Sequence, residues 1–186
     1  IHSFKFGGSR GTWKTDCDNI HLVFSNNTER SIEVSNVSAV ASHSNECMVQ
    51  LNSAVPLMSR SEKTRDNCIL TFTNPDGAQL FLSKLKCHNV THLNLLSCPT
   101  LELANGARTF MHDDGIAWKF GTSCFVCLFS ETKCAVFQRI NGGSSTFDLM
   151  LLGDGASYSI EYIPHTVICN WSDYLPDHVH KLTSGA

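Results

Sequence analysis

Short runs of apolar residues at every second position recur along this chain, the period of a half-buried β-strand. Ile20, Leu22 and Phe24 follow that period, as do Ile32 and Val34 among Ser31, Glu33 and Ser35. The polar stretch 25–29 between them has turn composition, so the two runs predict a hairpin. Residues 68–72 and 79–82 flank Asn74, Pro75, Asp76 and Gly77. A tetrad with Pro second and Gly fourth is turn chemistry, which predicts a second hairpin. Residues 134–138 and 146–152 bracket Asn141, Gly142 and Gly143 and predict a third, and Tyr158, Ile160 and Tyr162 alternate in a final strand. Helical spacing is scarcer. Leu103, Ala107, Phe110 and Met111 share one side of a helix over residues 103–111, against the cost of Gly106. Residues 52–61 suit a short helix around Val55, Leu57 and Met58, with Pro56 in its first turn.

Composition narrows the class. A chain of 186 residues with 42% apolar content has enough material for one hydrophobic core. Net charge is -3 and no segment forms a basic stripe, so a nucleic-acid partner is excluded. No apolar stretch approaches the roughly 20 residues needed to cross a bilayer. The opening at Ile1, without a charged-then-apolar leader, reads as a mature fragment of a longer protein.

Nine cysteines accompany four N-x-Ser/Thr acceptors, at Asn26, Asn36, Asn89 and Asn170. Together they indicate the oxidising secretory route, where disulfides and N-glycans both form. An odd count leaves at least one thiol unpaired. Cys17 and Cys169 sit near the two ends, and a bridge between them would stabilise by on the order of 5 kcal/mol in the loop-entropy picture. Spacing alone does not give the connectivity. The expected fold is α+β: a single domain over residues 1–176, built on an antiparallel β-sheet with short helices and loops on one face and stabilised by disulfides. Residues 177–186 are set apart as a C-terminal tail.

Three constellations carry chemistry. Ser9 follows an apolar alternation, and Asp177 and His180 give an Asp-x-x-His spacing, as in Gly-Asp-Ser-Leu esterases, which include viral hemagglutinin-esterases. Gly8 stands where that class has Asp, and a turn serine with a solvated tail accounts for the same residues. Cys124, Cys127, Cys134 and His112 offer zinc ligands, but zinc sites pair two such elements and only one Cys-x-x-Cys is present. Cys87, His88 and His92 enclose the Asn89 acceptor, which favours an exposed bend. The nine histidines as a group allow acid sensing. The resulting expectation is a protein that is not an enzyme and holds no metal or cofactor.

The whole chain resembles the receptor-binding attachment subunit of the arenavirus envelope glycoprotein. An apolar strand over residues 1–6 leads to Cys17, and residues 18–23 look like the family's histidine-bearing strand. Residues 32–38, with their acceptor, precede Cys47. Residues 103–111, then Trp118 and Gly121, look like a family helix, and residues 157–163 run to Cys169 like its closing strand. The resemblance implies disulfides Cys17–Cys169 and Cys47–Cys87, and one from Cys98 to Cys124, Cys127 or Cys134, with Cys134 the first choice; Cys68 and the other two of that cluster are extras. It implies that the subunit binds a host cell-surface receptor. It also implies that it caps a membrane-anchored fusion subunit until acidification, as a trimer of heterodimers on the outer surface of the virion envelope. Such a protein passes through the host secretory pathway and plasma membrane. His21 and His165 stand near the positions of the family's acid-sensing histidines. His180 to Thr183 resembles its processing site. Glycans on the four acceptors are expected to cover the solvated side of the sheet, leaving residues 113–122 and 141–145 for receptor contact. The alternatives from other classes are the esterase and a secreted immune-modulating glycoprotein.

Overall fold

The computed structural model describes residues 2–6, 9–52, 67–140, 143, 145–154 and 157–184. Of the described residues 56% are strand and 17% helix, and their strands form three sheets. That corrects the expected α+β domain with a single antiparallel sheet. The chain falls into two compact units, one of residues Ile1–Ser97 and Gly121–Val126, the other of Cys98–Phe120 and Cys127–Ala186.

The first unit holds an eight-stranded sheet. Its strands are β1 (His2–Phe6), β2 (Ser9–Thr15), β3 (Asn19–Phe24), β4 (Glu29–Glu33), β5 (Val37–His43), β6 (Glu46–Leu51), β7 (Cys68–Phe72) and β8 (Thr91–Asn94), in the order β4-β3-β2-β1-β7-β6-β5-β8. The first predicted hairpin is present: β3 and β4 pair antiparallel with Ile20 opposite Ile32 and His21 opposite Ser31. Period-2 patterning sets this register, because a slip by one residue would expose Ile20, Leu22 and Ile32, all buried.

The second predicted hairpin is a strand and a helix. β7 forms as expected, but Pro75–Lys86 is an α-helix, α1. Asn74 is its N-cap, the side-chain oxygen accepting the Gly77 N–H at 2.9 Å, and Pro75 occupies the first turn, where its missing N–H costs nothing. The same tetrad that fits a turn also fits a helix start. The 3.6-residue period beyond it decides: Ala78, Phe81, Leu82 and Leu85 are all buried. Phe81 stacks edge-on to Trp13 at 5.3 Å and lies 5.2 Å from Phe72, so α1 is fastened to the sheet by three aromatic rings.

The second unit carries β9 (Thr100–Glu102), β10 (Arg108–His112), β11 (Gly115–Phe120), β13 (Thr132–Gln138), β14 (Thr146–Gly153), β15 (Ser157–Pro164), β16 (His180–Thr183) and a short helix α2 (Ile168–Tyr174). Within it β11, β10 and β9 run side by side in that order, and a four-stranded sheet has the order β15-β14-β13-β16; the remaining strand, β12, is Ser123–Leu128. Residues 103–111, expected as a helix, are instead a turn and the strand β10. Gly106 adopts φ +89, and the turn closes with Leu103 donating to Ala107 and Gly106 donating to Leu103. Phe110 and Met111, neighbours pointing to opposite faces of a strand, are both buried, which a one-sided helix would not require. The third hairpin, β13 with β14, and the final strand β15 are found as expected. Within the segment set apart as a tail, β16 lies parallel to β13 with Leu182 opposite Val136. The short helix expected at residues 52–61 lies, apart from Asn52, outside the described residues.

Among the described residues no two cysteines lie at disulfide distance, so the expected disulfide stabilisation is also corrected, while the expected Cys17–Cys169 pair rests on a Cys169 side chain outside the described residues. Burial explains why the expected Cys47–Cys87 pair does not form. Cys47 points into the core from β6, diagonal to Cys68 on β7, while Cys87 closes α1 on the exposed side. Burial pushes the Cys47 thiol up to about 12 and those of Cys68 and Cys127 up to about 11. Buried neutral thiols of this kind pack as small apolar groups. The expected bridge from Cys98 to Cys124, Cys127 or Cys134 is absent.

Candidate functional site

The turn from β2 into β3 positions a carboxylate. Asp16 Oδ1 accepts the backbone N–H groups of Asp18 at 2.9 Å and Asn19 at 2.8 Å, an Asx turn that leaves Oδ2 aimed along β3. Oδ2 lies 2.7 Å from His21 Nε2, and His21 Nδ1 lies 3.0 Å from Ser31 Oγ. Hairpin register brings Ser31 there, because directly opposed residues share a face. The result is a continuous Asp16–His21–Ser31 chain of hydrogen bonds on an accessible face of the first unit. Two cross-strand pairs along, at the next pair on the same face, Asn19 and Glu33 help line a cavity of about 540 Å³ with Asp18, Val34, Ser35 and His88.

The His21 hydrogen bond, with the two backbone N–H groups, holds the Asp16 carboxyl at about 2, below its ordinary value of 3.8. A depressed acid stabilises the fold above its unfolded value and loses that contribution as pH falls through its folded one. Asp16 therefore stays ionised across the endosomal range, and its contribution fades from about pH 4 downward as the pH falls through about 2. Urea melts of Asp16→Asn and the parent should diverge above about pH 4 and converge as the pH falls through about 2; curves separated by a constant amount over that range would contradict this.

His165 belongs to the second unit, so the two expected acid-sensing histidines fall in separate units. His165 opens a short 3-10 turn (His165–Val167), with its ring centroid 5.7 Å from that of Phe147. Its Nε2 is shut off from solvent with no hydrogen-bond partner among the described residues. The residues of the expected esterase trio are likewise divided between the units. Ser9 belongs to the first unit with its side chain outside the described residues, while Asp177 and His180 are exposed in the second. Among the described residues no group of three or more His, Cys, Asp and Glu gathers to hold a metal. His92 bonds Ser42 Oγ at 2.6 Å from β8, and Cys87 and His88 occupy the exposed turn after α1.

Asn26, Asn89 and Asn170 are exposed and Asn36 is half-buried. Asn89 sits in the predicted bend with φ +60, just past α1. Asn170 lines a groove of about 490 Å³ with Leu101, Met111, Trp171 and Tyr174. Tyr174 Oη donates to the Met111 carbonyl at 3.0 Å across it. Of the expected contact loops, residues 115–120 are the strand β11 rather than loop, ending in the half-exposed Phe120. Residues 141, 142 and 144 lie outside the described residues.

One further cluster on the second unit had no counterpart in the sequence reading. Arg139 and Tyr162 both adopt left-handed backbone, each with φ 61. Asp148 holds both: its carboxylate accepts Arg139 Nε and Nη2 at 2.6 Å each and the Tyr162 N–H at 3.1 Å. The guanidinium lies 5.5 Å from the Tyr162 ring centroid. Non-glycine residues held in this region cost about 1–3 kcal/mol each and persist where surroundings fix them. Neither a turn motif nor hydrophobic period signals the cluster; it depends on the irregular register between Phe147 and Leu149.

No protein-family model and no curated protein sequence matches the chain. No helix among the described residues is long and apolar enough to cross a membrane.

Proposed function

We propose that this chain is the attachment subunit of a viral surface glycoprotein, similar in kind to that of arenaviruses. It binds a host cell-surface receptor and caps a membrane-anchored fusion subunit. The observation that supports this reading is the exposure of three of the four acceptor asparagines, with Asn36 half-buried, on a β-rich scaffold. Glycans there would screen much of the surface while leaving rigid patches bare. Arg139 and Tyr162 make the best such patch: an arginine and a half-exposed tyrosine, pre-set by Asp148 and therefore ordered at little entropic cost on binding. Tyr162 replaces the expected loops as the contact to test. Fluorescently labelled, glycosylated protein should bind susceptible animal cells saturably, and Tyr162→Ala should weaken that binding about tenfold or more. Binding that never saturates, or that is unchanged by competition with unlabelled protein, would refute the reading.

A further inference from the structure

We infer that Ser31 is a nucleophile, activated by His21 and oriented through Asp16, that accepts an acyl group from small carboxylic esters. This goes beyond attachment and does not depend on it. Four features converge. An ionised carboxylate only accepts, so Asp16 fixes the proton on His21 Nε2 and leaves Nδ1 as the acceptor for the Ser31 hydroxyl. That is the logic of a serine–histidine–aspartate array, with the two ring nitrogens exchanged relative to the serine proteases. The distances of 2.7 and 3.0 Å lie within hydrogen-bond reach for both transfers.

The third feature is backbone. β4 is an edge strand, and Val34 donates its N–H inward to Asp18. Antiparallel alternation then points the Ser31 N–H outward from the open edge, where it can donate to an oxyanion formed at the serine. The fourth is space. The cavity of about 540 Å³ starts at Asn19 and Glu33, two residue pairs along and the next pair on the same face, and its Asp18 and Glu33 carboxylates favour neutral or cationic esters over anionic ones.

The reaction balances without a cofactor. Ser31 Oγ bonds the ester carbonyl carbon while its proton passes to His21 Nδ1. The bond from that carbon to the alkoxy oxygen then breaks, and the leaving alcohol takes the proton. Water next attacks the acyl-serine, His21 removes its proton and returns it to Ser31, and a carboxylic acid departs. Asp16 is a positioning residue throughout.

An alkyl fluorophosphonate tests the site on the full chain, since Ser31 attack forms a phosphorus–oxygen bond and expels fluoride. Peptide mass mapping should find the adduct on Ser31. His21→Gln should slow labelling by about a hundredfold or more. Asp16→Asn should lower the limiting rate at saturating probe while leaving the half-saturating concentration unchanged. Ser31→Ala, a change at an exposed position, should abolish the adduct and p-nitrophenyl acetate hydrolysis together. An unlabelled Ser31 under conditions that label a serine hydrolase to completion would overturn the inference, as would equal labelling rates for the parent and His21→Gln.

Discussion

Phe81→Ala is expected to destabilise the first unit by about 3–5 kcal/mol. Phe81 is 1% exposed and is the ring through which α1 meets both Trp13 and Phe72. Truncation removes the transfer free energy of the ring and leaves a void that its neighbours fill only in part. Backbone constraint at Asn74 and at the left-handed Asn89 limits how far α1 can settle toward the sheet. Natural domains hold about 5–15 kcal/mol in reserve, so the loss would leave much of this unit unfolded at body temperature. Chemical denaturation followed by tryptophan fluorescence, with Trp13 inside the cluster, reads the change. A loss below about 1 kcal/mol would mean that α1 is not fastened through Phe81.

Gln50→Leu should cost about 2–5 kcal/mol, by a different route. Gln50 is 5% exposed on β6, and its Oε1 accepts from both Asn67 Nδ2 at 2.8 Å and the Val126 N–H at 2.9 Å. Its Nε2 donates to the Leu51 carbonyl at 3.0 Å. Asn67 in turn donates to the Cys124 carbonyl at 2.9 Å and accepts the Leu51 N–H at 2.7 Å. One buried amide thus ties three chain segments together. Leucine matches its volume, so packing is nearly conserved, but the Val126 N–H is stripped of this acceptor. Each polar group stranded in a core costs about 1–3 kcal/mol. Hydrogen exchange would locate the damage: the Val126 amide should lose protection before the amides of β3. Unchanged protection at Val126 would show that the network does not hold that segment.

Where one rule governed a segment, the sequence was readable. The hairpin of β3 and β4 and that of β13 and β14 combine period-2 burial with clear turn residues, whereas in β15 the period holds only to Ile160, after which Tyr162 turns outward and Ile163 is buried. Errors arose where one motif serves two structures. Asn74 to Gly77 satisfies a β-turn and a helix start equally, and only the burial of Ala78, Phe81, Leu82 and Leu85 separates them. Over residues 103–111 the spacing of apolar side chains matched a helix, yet Gly106 needed a left-handed turn and β10 buried both of its faces. The thiols were misjudged for a related reason. Cysteine counts say nothing of burial, and Cys47 is enclosed in the core of a strand buried on both faces while Cys87 is exposed at the end of α1. Of the site, His21 alone was visible. Asp16 is five residues before it and Ser31 ten after, separations that acquire meaning only once a turn and a hairpin register are known. Arg139 and Tyr162 were invisible for the same reason, since Asp148 joins them across an irregular strand pair.

The sugar-bearing surface is the claim on which the attachment reading stands, and intact glycopeptide mass spectrometry of the chain secreted from animal cells tests it most directly. The account predicts N-linked glycans on Asn26, Asn36, Asn89 and Asn170. Peptides carrying all four asparagines unmodified would contradict it.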